Sequence, residues 1–272
     1  MRVASPCTEP EKPKYDHRAV RPSQRLSAEQ RDARYAEERR QGEQIAAEDL
    51  EAVWGWTGPA GSLRAERRAA FLMSAAGLEP GVRGLELGAG TGQFTERLLA
   101  SRCELVALEL SEATAEICRE RVDGRAEIVV GNAETGEGLE EREFDAIVGV
   151  SVLHHLNMAL CLENTFSKLR SGGRFAFSEP NMANPQVWAM KNVDWVARKL
   201  HETQHETAFK TRELRRLFED AGFRVDVCEP FDFLHPKTPG LLVPAVRRIE
   251  HVLERTPLRA IAGSIRIAGE RP

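Results

Sequence analysis

The chain lacks the features that mark several large classes of protein. No window of the sequence holds the ~18 uninterrupted apolar residues that a membrane-spanning helix requires. Its first residues contain no apolar core of the kind found in a signal peptide, so we expect no secretory signal. A basic surplus is also missing, since the net charge is −4 and the pI about 6.1. This balance argues against a general nucleic-acid-binding protein.

Cysteine pairs with the spacing of a metal site are absent as well. The five cysteines are Cys7, Cys103, Cys118, Cys161 and Cys228, and they form no CxxC pair. We therefore expect neither a structural zinc nor a disulfide framework, but reduced, buried thiols in a cytoplasmic protein. What the chain does contain, 42% hydrophobic and 29% charged residues, is typical of a globular domain.

Composition divides the 272 residues into a tail, a cap and a main domain. Residues 1–27 are rich in proline and charge and predict a disordered tail. Residues 28–80 predict an N-terminal helical cap, in which a charged, solvated helix over 28–50 precedes a helix ending at Gly77. The second part of this cap, 52–80, is a candidate lid over a neighbouring site.

Residues 81–272 predict the main domain, in which short apolar strands alternate with helices. Strands are predicted at 82–88, 104–110, 126–131, 144–150, 174–180, 223–233 and 264–269. The alternation is typical of an α/β, Rossmann-like, doubly wound sheet. A helix over 157–170 is predicted to end at the Gly172-Gly173 turn, and helical insertions are expected at about 182–209 and 234–262.

Three alternating glycines, Gly88, Gly90 and Gly92, stand between the first strand and the following helix. Glycine adopts positive φ and lets a ligand approach the backbone closely. The position, at the carboxyl end of a strand, is where open α/β sheets bind ligands. Because residue 93 is Gln, the spacing is GxGxG and differs from the GxGxxG of a dinucleotide site.

Polar residues follow the next two strands as well. Glu109 ends the second strand, where its carboxylate can accept hydrogen bonds from a ribose diol. Asn132 and Ala133 follow the third strand, and their amide groups can pair with the edge of an adenine ring. Together these residues predict a nucleoside lying across the edge of the sheet.

At these positions the chain resembles the class I S-adenosylmethionine (SAM)-dependent methyltransferases, and within them the type 11-like small-molecule branch. The similar motifs are LELGAGTG (85–92), LEL (108–110), GNAE (131–134), FDAIVGVSVLHHL (144–156) and LRSGGRFAFSEPN (169–181). The resemblance implies SAM as cofactor and a seven-stranded mixed sheet whose final strand is reversed. One departure is visible, since Asn132 stands where the family often has Asp.

The resemblance also implies a cofactor-binding role for each matched position. Glu86 would meet the amino group of the methionine part, which passes the three glycines. Glu109 would hold the ribose, Leu110 would pack on the adenine, and Asn132 with Ala133 would contact the adenine edge. Val150 and Ser151, at the end of the fourth strand, would lie near the sulfonium.

Methyl transfer from a sulfonium is an in-line displacement that requires a positioned acceptor, and a general base only if the acceptor must lose a proton. His155, and with less weight His154, follows the fourth strand and is a candidate base. Glu179 ends the fifth strand and is the other catalytic candidate. An alternative for Glu179 is a carboxylate bonded to backbone amides.

Two further segments admit a functional and a structural interpretation. HETQHE (201–206) matches the letters HExxH, but beside so complete a SAM signature we expect no metal site. A helix near 241–256 has an apolar stripe of Leu242, Val246, Ile249 and Leu253, which is expected to pack on the domain. The alternative is that this helix touches a membrane surface or a lipid-like acceptor.

The sequence therefore predicts an enzyme that methylates a small molecule, with oxygen as the expected acceptor atom. A lipid-linked or glycan acceptor at a membrane surface is the second interpretation. Net acidity and the absence of an NPPY-type motif argue against methylation of a nucleic acid base. A SAM-binding protein without turnover is the alternative from a different class.

Overall fold

One seven-stranded sheet forms the centre of the computed structural model, which describes residues 27–47, 55–193 and 208–272. The strands are β1 (Arg83–Leu87), β2 (Glu104–Glu109), β3 (Glu127–Val130), β4 (Phe144–Val150), β5 (Leu169–Pro180), β6 (Arg224–Phe231) and β7 (Ser264–Glu270). Their order is β3-β2-β1-β4-β5-β7-β6, and only β7 runs antiparallel to its neighbours. The predicted mixed sheet with a reversed final strand is confirmed.

Helices cover both faces of the sheet, as a doubly wound fold requires. They are α1 (Ala28–Ala47), α2 (Gly58–Ala76), α3 (Thr95–Leu98), α4 (Glu112–Val122), α5 (Met158–Lys168), α6 (Pro185–Asn192), α7 (Thr211–Asp220) and α8 (Val243–Leu253). Short 3₁₀ turns lie at Leu99–Ser101, Leu153–His155, Gly240–Leu242 and Pro257–Ile261. The predicted tail lies, apart from Ser27, outside the described residues.

The sheet separates two apolar layers. On one face α5 and α7 bury Leu162, Leu214 and Phe218 against the strands. On the other face α2 and α4 bury Leu72 and Cys118. Because both faces are covered, β4 is buried along almost its whole length, which agrees with its nearly continuous apolar sequence.

The structure corrects the predicted end of the helix before β5. That helix ends at Lys168, and Gly172 and Gly173 lie inside β5 instead of ending the helix. The pairing of β5 with β4 shifts register across this stretch, and Gly172 has a φ of +76°. The glycines therefore form an irregularity at the start of a strand, which a sequence pattern cannot distinguish from a helix end.

The predicted cap contains two helices that pack on different elements. α2 ends at Gly77, which has the left-handed φ of +67° expected for a glycine C-cap. Its side chains Ala65, Ala69 and Leu72 are buried against the sheet, so α2 belongs to the helical layer. α1, by contrast, packs on α4, where Gly42 lies against Ser111.

The orientation of α8 differs from the predicted one. Leu242 and Ile249, expected to face the domain, are more than half exposed. Glu250 instead faces the domain, where it accepts hydrogen bonds from Arg67 and from the backbone N–H of Phe233. Val246 of the predicted stripe does pack on the domain, together with Val243. The side of α8 that faces the domain thus combines these valines with a buried ion pair, which hydrophobic periodicity could not show.

Candidate active site

A cavity of about 590 Å³ lies at the carboxyl edge of the sheet. The ends of β1, β2, β4 and β5 open onto it through Gly88, Glu109, Val150 and Pro180. Its volume falls within the range of ~300–1,000 Å³ that is usual for small-molecule sites. The position is the one at which open α/β sheets bind their ligands.

The three glycines after β1 all have left-handed φ, but for different reasons. A Cβ added at Gly88 would lie 2.5 Å from Val152, and one at Gly92 would lie 2.9 Å from the sulfur of Cys118. A Cβ at Gly90 would meet no protein atom within 4 Å. Gly88 and Gly92 are therefore required by packing, whereas Gly90 keeps the cavity wall open for a ligand.

Glu109 lies in the wall of the cavity, as predicted from its place at the end of β2. Its carboxylate accepts hydrogen bonds from the backbone N–H groups of Gly90 (2.8 Å) and Ser111 (3.0 Å). A carboxylate oxygen has room for more than one donor. Glu109 thus holds the glycine turn in place and can still receive a ligand hydroxyl from the cavity.

Asn132 and Ala133 line the end of the cavity beyond β3. The side-chain oxygen of Asn132 accepts from the backbone N–H of Glu134 at 2.8 Å, which stabilises the turn after the strand. The carbonyl of Ala133 accepts from the side chain of Asn164 at 2.9 Å. Both residues predicted to contact an adenine edge therefore belong to a rigid, hydrogen-bonded turn.

The first helix forms a side of this same end of the cavity. The buried carboxylate of Glu134 accepts from Arg34, from the hydroxyl of Tyr35 at 2.9 Å and from the backbone N–H of Asn157 at 2.7 Å. Burial raises the pKa of Tyr35, and the adjacent Glu134 raises it further. The helix predicted to be solvated is thus attached to the domain by a buried ion pair.

Sequence reasoning missed this contribution because it depends on a pair 100 residues apart in the chain. The cavity-lining residues of α1 are Tyr35, Glu38, Gln41, Gly42 and Ile45. Charged residues are spread along the whole of this helix, so no hydrophobic period indicates which of its faces is buried. The one sequence feature that could have indicated the contact is Glu134, which belongs to the GNAE motif.

Glu86 lies behind the glycine turn and does not line the cavity. Its carboxyl is buried, and one of its oxygens has no hydrogen-bond partner among the described residues. Burial raises the pKa of Glu86 to about 8, a hydrogen bond from Thr95 opposes the rise, and Glu109 adds to it. Gly92 also lies outside the lining, whereas Leu110, Val150 and Ser151 contribute to it.

Replacing Glu86 with Gln should stabilise the protein at alkaline pH. The pKa is raised on folding, so the unfolded chain loses this proton first and the folded state loses stability as pH rises. Between pH ~5 and ~8 the cost is roughly 1.4 kcal/mol for each pH unit. Urea unfolding of both proteins across this range measures the difference, and a difference that does not vary with pH would contradict the assignment.

The two histidines after β4 have different surroundings. His154 is buried, and its Nδ1 lies 2.8 Å from one oxygen of Glu179. The other oxygen of Glu179 accepts from the backbone N–H groups of Val152 and Leu153, both at 3.0 Å. His155 is partly exposed, with its Nδ1 3.4 Å from Glu38 of α1. Both rings line the cavity, but Glu179 does not.

The protonation of His154 follows from this environment. Burial lowers its pKa below the usual 6.5, the charge of His155 lowers it further, and Glu179 opposes both. The imidazole is therefore neutral at pH 7. Since a carboxylate only accepts, Nδ1 holds the proton and Nε2 is left to accept one.

The far end of the cavity contains a buried ionic cluster that the sequence did not indicate. Asp232 follows β6 with a φ of +74° and is 3% exposed. One of its oxygens lies 2.8 Å from Arg64 and 2.6 Å from Arg68. The other oxygen has no partner among the described residues. Applying the strand-end argument to the sixth strand would have identified Asp232.

Metal-binding groups are not found in the part of the chain that the structure describes: no three His, Cys, Asp or Glu side chains are placed to hold an ion. The HETQHE segment lies outside the described residues. The thiols of Cys103, Cys118, Cys161 and Cys228 are free, and Cys7 lies outside the described residues.

Comparison with known families gives one match that covers most of the chain. A family model described as "Methyltransferase domain" matches residues 59–227. The match begins inside α2 and ends in β6, so it includes the glycine turn, both histidines and Glu179. It also places α2 with the domain, in agreement with its packing on the sheet.

Individual proteins show weaker similarity. Nodulation protein S of Rhizobium tropici is 26% identical over 149 residues, which are 53% of this chain and 63% of that protein. A probable ribosomal RNA small subunit methyltransferase A of Methanosarcina barkeri is 36% identical over 101 residues, which are 36% of this chain and 32% of that protein. The chain thus matches less than two thirds of either relative.

A solved structure with a similar fold is the N-methyltransferase NodS from Bradyrhizobium japonicum in complex with S-adenosyl-L-homocysteine. The TM-score is 0.57 at 16% sequence identity, and the alignment covers 86% of this chain and 98% of that one. At this level of identity the likeness concerns the fold.

Proposed function

The chain belongs to the class I SAM-dependent methyltransferases, and from this premise we propose that it transfers a methyl group to a small-molecule acceptor by in-line displacement, with oxygen as the acceptor atom. The observation that carries the proposal is that one cavity is lined by two groups of residues. We call the part around Glu109 and Asn132 the cofactor end, and the part around His154 and Asp232 the acceptor end.

The residues present fit the cofactor. Gly90 leaves open space where a side chain would otherwise stand, and the wall carboxylate of Glu109 suits a ribose diol. Asn132 and Ala133 lie where an adenine edge would be held. Glu86 does not line the cavity, and its raised pKa keeps the carboxyl protonated at pH 7, so we assign it no direct contact with the cofactor. SAM supplies the electrophilic methyl group.

His154 is the general base in this proposal, in place of His155. The position of Glu179, bonded to two backbone amides and to Nδ1 of His154, makes it a positioning residue. It orients the ring so that Nε2 is left to take a proton from an acceptor hydroxyl. A neutral imidazole at pH 7 is in the correct state for this step.

Asp232 recognises the acceptor. Its unpartnered oxygen is buried, and a buried carboxylate oxygen without a donor is costly. Arg64 and Arg68 already compensate the negative charge, so a neutral hydroxyl suits the remaining oxygen better than an ammonium group. The left-handed backbone of Asp232 is strained for a residue other than glycine, which is typical of binding sites.

Substituting Glu109 with Ala should weaken the binding of S-adenosylhomocysteine by roughly ten- to a hundred-fold. The physical reason is the loss of a charge-assisted hydrogen bond, which contributes about 1.5–3 kcal/mol. Isothermal titration calorimetry on both proteins measures the change. Glu109→Gln, which keeps one accepting oxygen, should lose less.

Glu112→Ala is the matched control, because this carboxylate lies in the same region but is exposed and pairs with Arg119. Its affinity should equal that of the wild type. Failure of the wild type to bind S-adenosylhomocysteine would contradict the proposed function. An equal loss in both variants would contradict the role of Glu109 alone.

An acceptor screen then separates the enzyme from a SAM-binding protein without turnover. Small hydroxyl-bearing compounds, with their O-methylated analogues as controls, are incubated with SAM, and the formation of S-adenosylhomocysteine is measured. Turnover of a hydroxyl compound but not of its methylated analogue supports methylation at oxygen. Turnover that persists with the methylated analogue excludes oxygen as the acceptor atom.

A further inference from the structure

The outward side of α8 and its flanking turns holds most of the exposed large apolar side chains. These are Leu241, Leu242, Ile249, Val252, Leu258 and Ile261, and we call them the 241–261 face. Leu241 is 96% exposed, and Ile249 and Val252 are each about 60% exposed. In the described ranges one other large apolar side chain, Trp188 of α6, is similarly exposed. Such a concentration marks an interaction surface.

The helix is held in this orientation by polar contacts on its inner side. Glu250 is buried and accepts from Arg67 at 2.8 Å, from the backbone N–H of Phe233 at 2.8 Å, and from Arg247. Rotating α8 to bury its apolar stripe would expose these contacts to solvent and break them. Ile249 and Val252 therefore face outward, while Val243 and Val246 pack on the domain beside Ala60 and Leu234.

The charges of this face have one sign. Arg248 and Arg255 are exposed along it, and Arg248 follows the same helical stripe as Val252. Arg259 is exposed as well, but it pairs with Glu229 at 3.0 Å. The acidic residues of the segment, Glu250 and Glu254, turn inward and pair with Arg67. The surface thus combines exposed aliphatic side chains with outward positive charge.

We propose that the 241–261 face is a docking surface for an anionic lipid bilayer. Aliphatic side chains enter the interfacial region of a bilayer, and arginines beside them contact anionic headgroups. A second copy of the chain fits this face less well, because a twofold interface would bring the same arginines together without acidic partners. No helix in the described ranges has the length and apolarity to cross a bilayer, so the contact is peripheral.

The face adjoins the acceptor end of the cavity. Asn184, at the start of α6, donates from its side chain to the carbonyl of Ile261 at 2.8 Å, and Asn184, Gln186 and Val187 also line the cavity. Docking would therefore bring this part of the cavity wall close to the bilayer surface, where a lipid-linked acceptor would be within reach. This link to the acceptor rests on the proposed function, whereas docking itself does not.

The test is co-sedimentation of the full chain with vesicles of phosphatidylcholine alone or mixed with phosphatidylglycerol. We expect salt-sensitive binding to the anionic vesicles. The double variant Arg248→Glu with Arg255→Glu should lower the partition coefficient at least tenfold, because each basic residue at an anionic surface contributes about fivefold. The double variant Ile249→Glu with Val252→Glu should also lower it at least tenfold, because it replaces the aliphatic side chains that enter the bilayer interface with negative charges. These side chains are exposed, so the fold should be retained.

The matched control is Arg212→Glu with Arg216→Glu, which makes the same charge change on exposed positions of α7. It should bind vesicles distinctly better than the arginine variant of the 241–261 face. Equal losses in both, or no binding of the wild type to anionic vesicles, would overturn the proposal. So would self-association in sedimentation velocity that Ile249→Glu with Val252→Glu abolishes. Calorimetry with S-adenosylhomocysteine tests the proposed function separately in each variant.

Discussion

Replacement of Asp232 by Ala should lower the free energy of unfolding by about 3–5 kcal/mol, the usual cost of removing one partner from a buried ion pair. The variant leaves Arg68, whose side chain is 2% exposed, without its carboxylate, and Arg64 loses the same partner. Ser264 alone then accepts from the Nη2 of Arg68. Urea unfolding followed by circular dichroism measures the change.

The control for Asp232 is Asp226→Ala. Asp226 also contacts two arginines, Arg174 and Arg224, but its side chain is 34% exposed. Solvent screens such a pair, so the expected loss is below about 1 kcal/mol. Equal losses in the two variants would contradict the burial of the cluster around Asp232.

Acidification should weaken the same cluster. Burial raises the pKa of Asp232, but Arg68 and Arg64 outweigh this effect and hold the pKa below its usual value. The ionised carboxylate therefore stabilises the folded state above the pKa of the unfolded chain, and this contribution is lost as pH falls through the lowered pKa. The difference in the free energy of unfolding between the wild type and Asp232→Asn should therefore become smaller as the pH falls through that range.

Replacement of His154 by Gln should reduce methyl transfer by about 10²–10⁴-fold, the range for loss of a general base. The affinity for S-adenosylhomocysteine should not change, since the ring lies at the acceptor end. Initial rates with an acceptor found in the screen measure the effect. Because the pKa of His154 lies below 6.5, the wild-type rate should be near its plateau at pH 7 and fall at lower pH.

His155→Gln distinguishes the two adjacent rings, whose centroids are 4.2 Å apart. This variant should keep most of the turnover, because His155 contacts Glu38 of α1 instead of Glu179. Glu179→Gln should fall between the two, since an amide can still hold the ring but no longer as a charged acceptor. If His155→Gln instead loses turnover and His154→Gln does not, the base is the residue expected from the sequence.

The strands and the cofactor end were largely predictable because their signals are local. A nearly continuous apolar run such as 144–150 predicts a central strand without reference to distant residues, and the structure places β4 at Phe144–Val150. Glycines, Glu109 and Asn132 follow strand ends in the sequence, and parallel strands bring their carboxyl ends to one edge. The match of the family model to residues 59–227 agrees with the resemblance seen in the same motifs.

The acceptor end was not predictable because its residues are brought together only by packing. Arg68 and Asp232 are separated by 164 residues and belong to a helix and a strand end that show no shared motif. The choice between His154 and His155 likewise depends on which ring reaches Glu179. Neighbouring histidines are indistinguishable in a pattern, but only one of them faces a buried carboxylate.

The sequence by itself determined the α/β sheet and the position of the glycine turn, because these follow from hydrophobic periodicity and from backbone chemistry at strand ends, and the resemblance of its motifs to a known family implied the cofactor and the reversed final strand. Only the tertiary structure decided how the peripheral helices pack, because this depends on ion pairs between residues far apart in the sequence. It attached α1 to Glu134 through the buried Arg34, and it turned α8 so that Glu250 meets Arg67 and the apolar side chains of Ile249 and Val252 face outward. A buried charge is stable only beside a charge of opposite sign, and the residue that supplies it can lie anywhere in the sequence, so no local pattern identifies the pair.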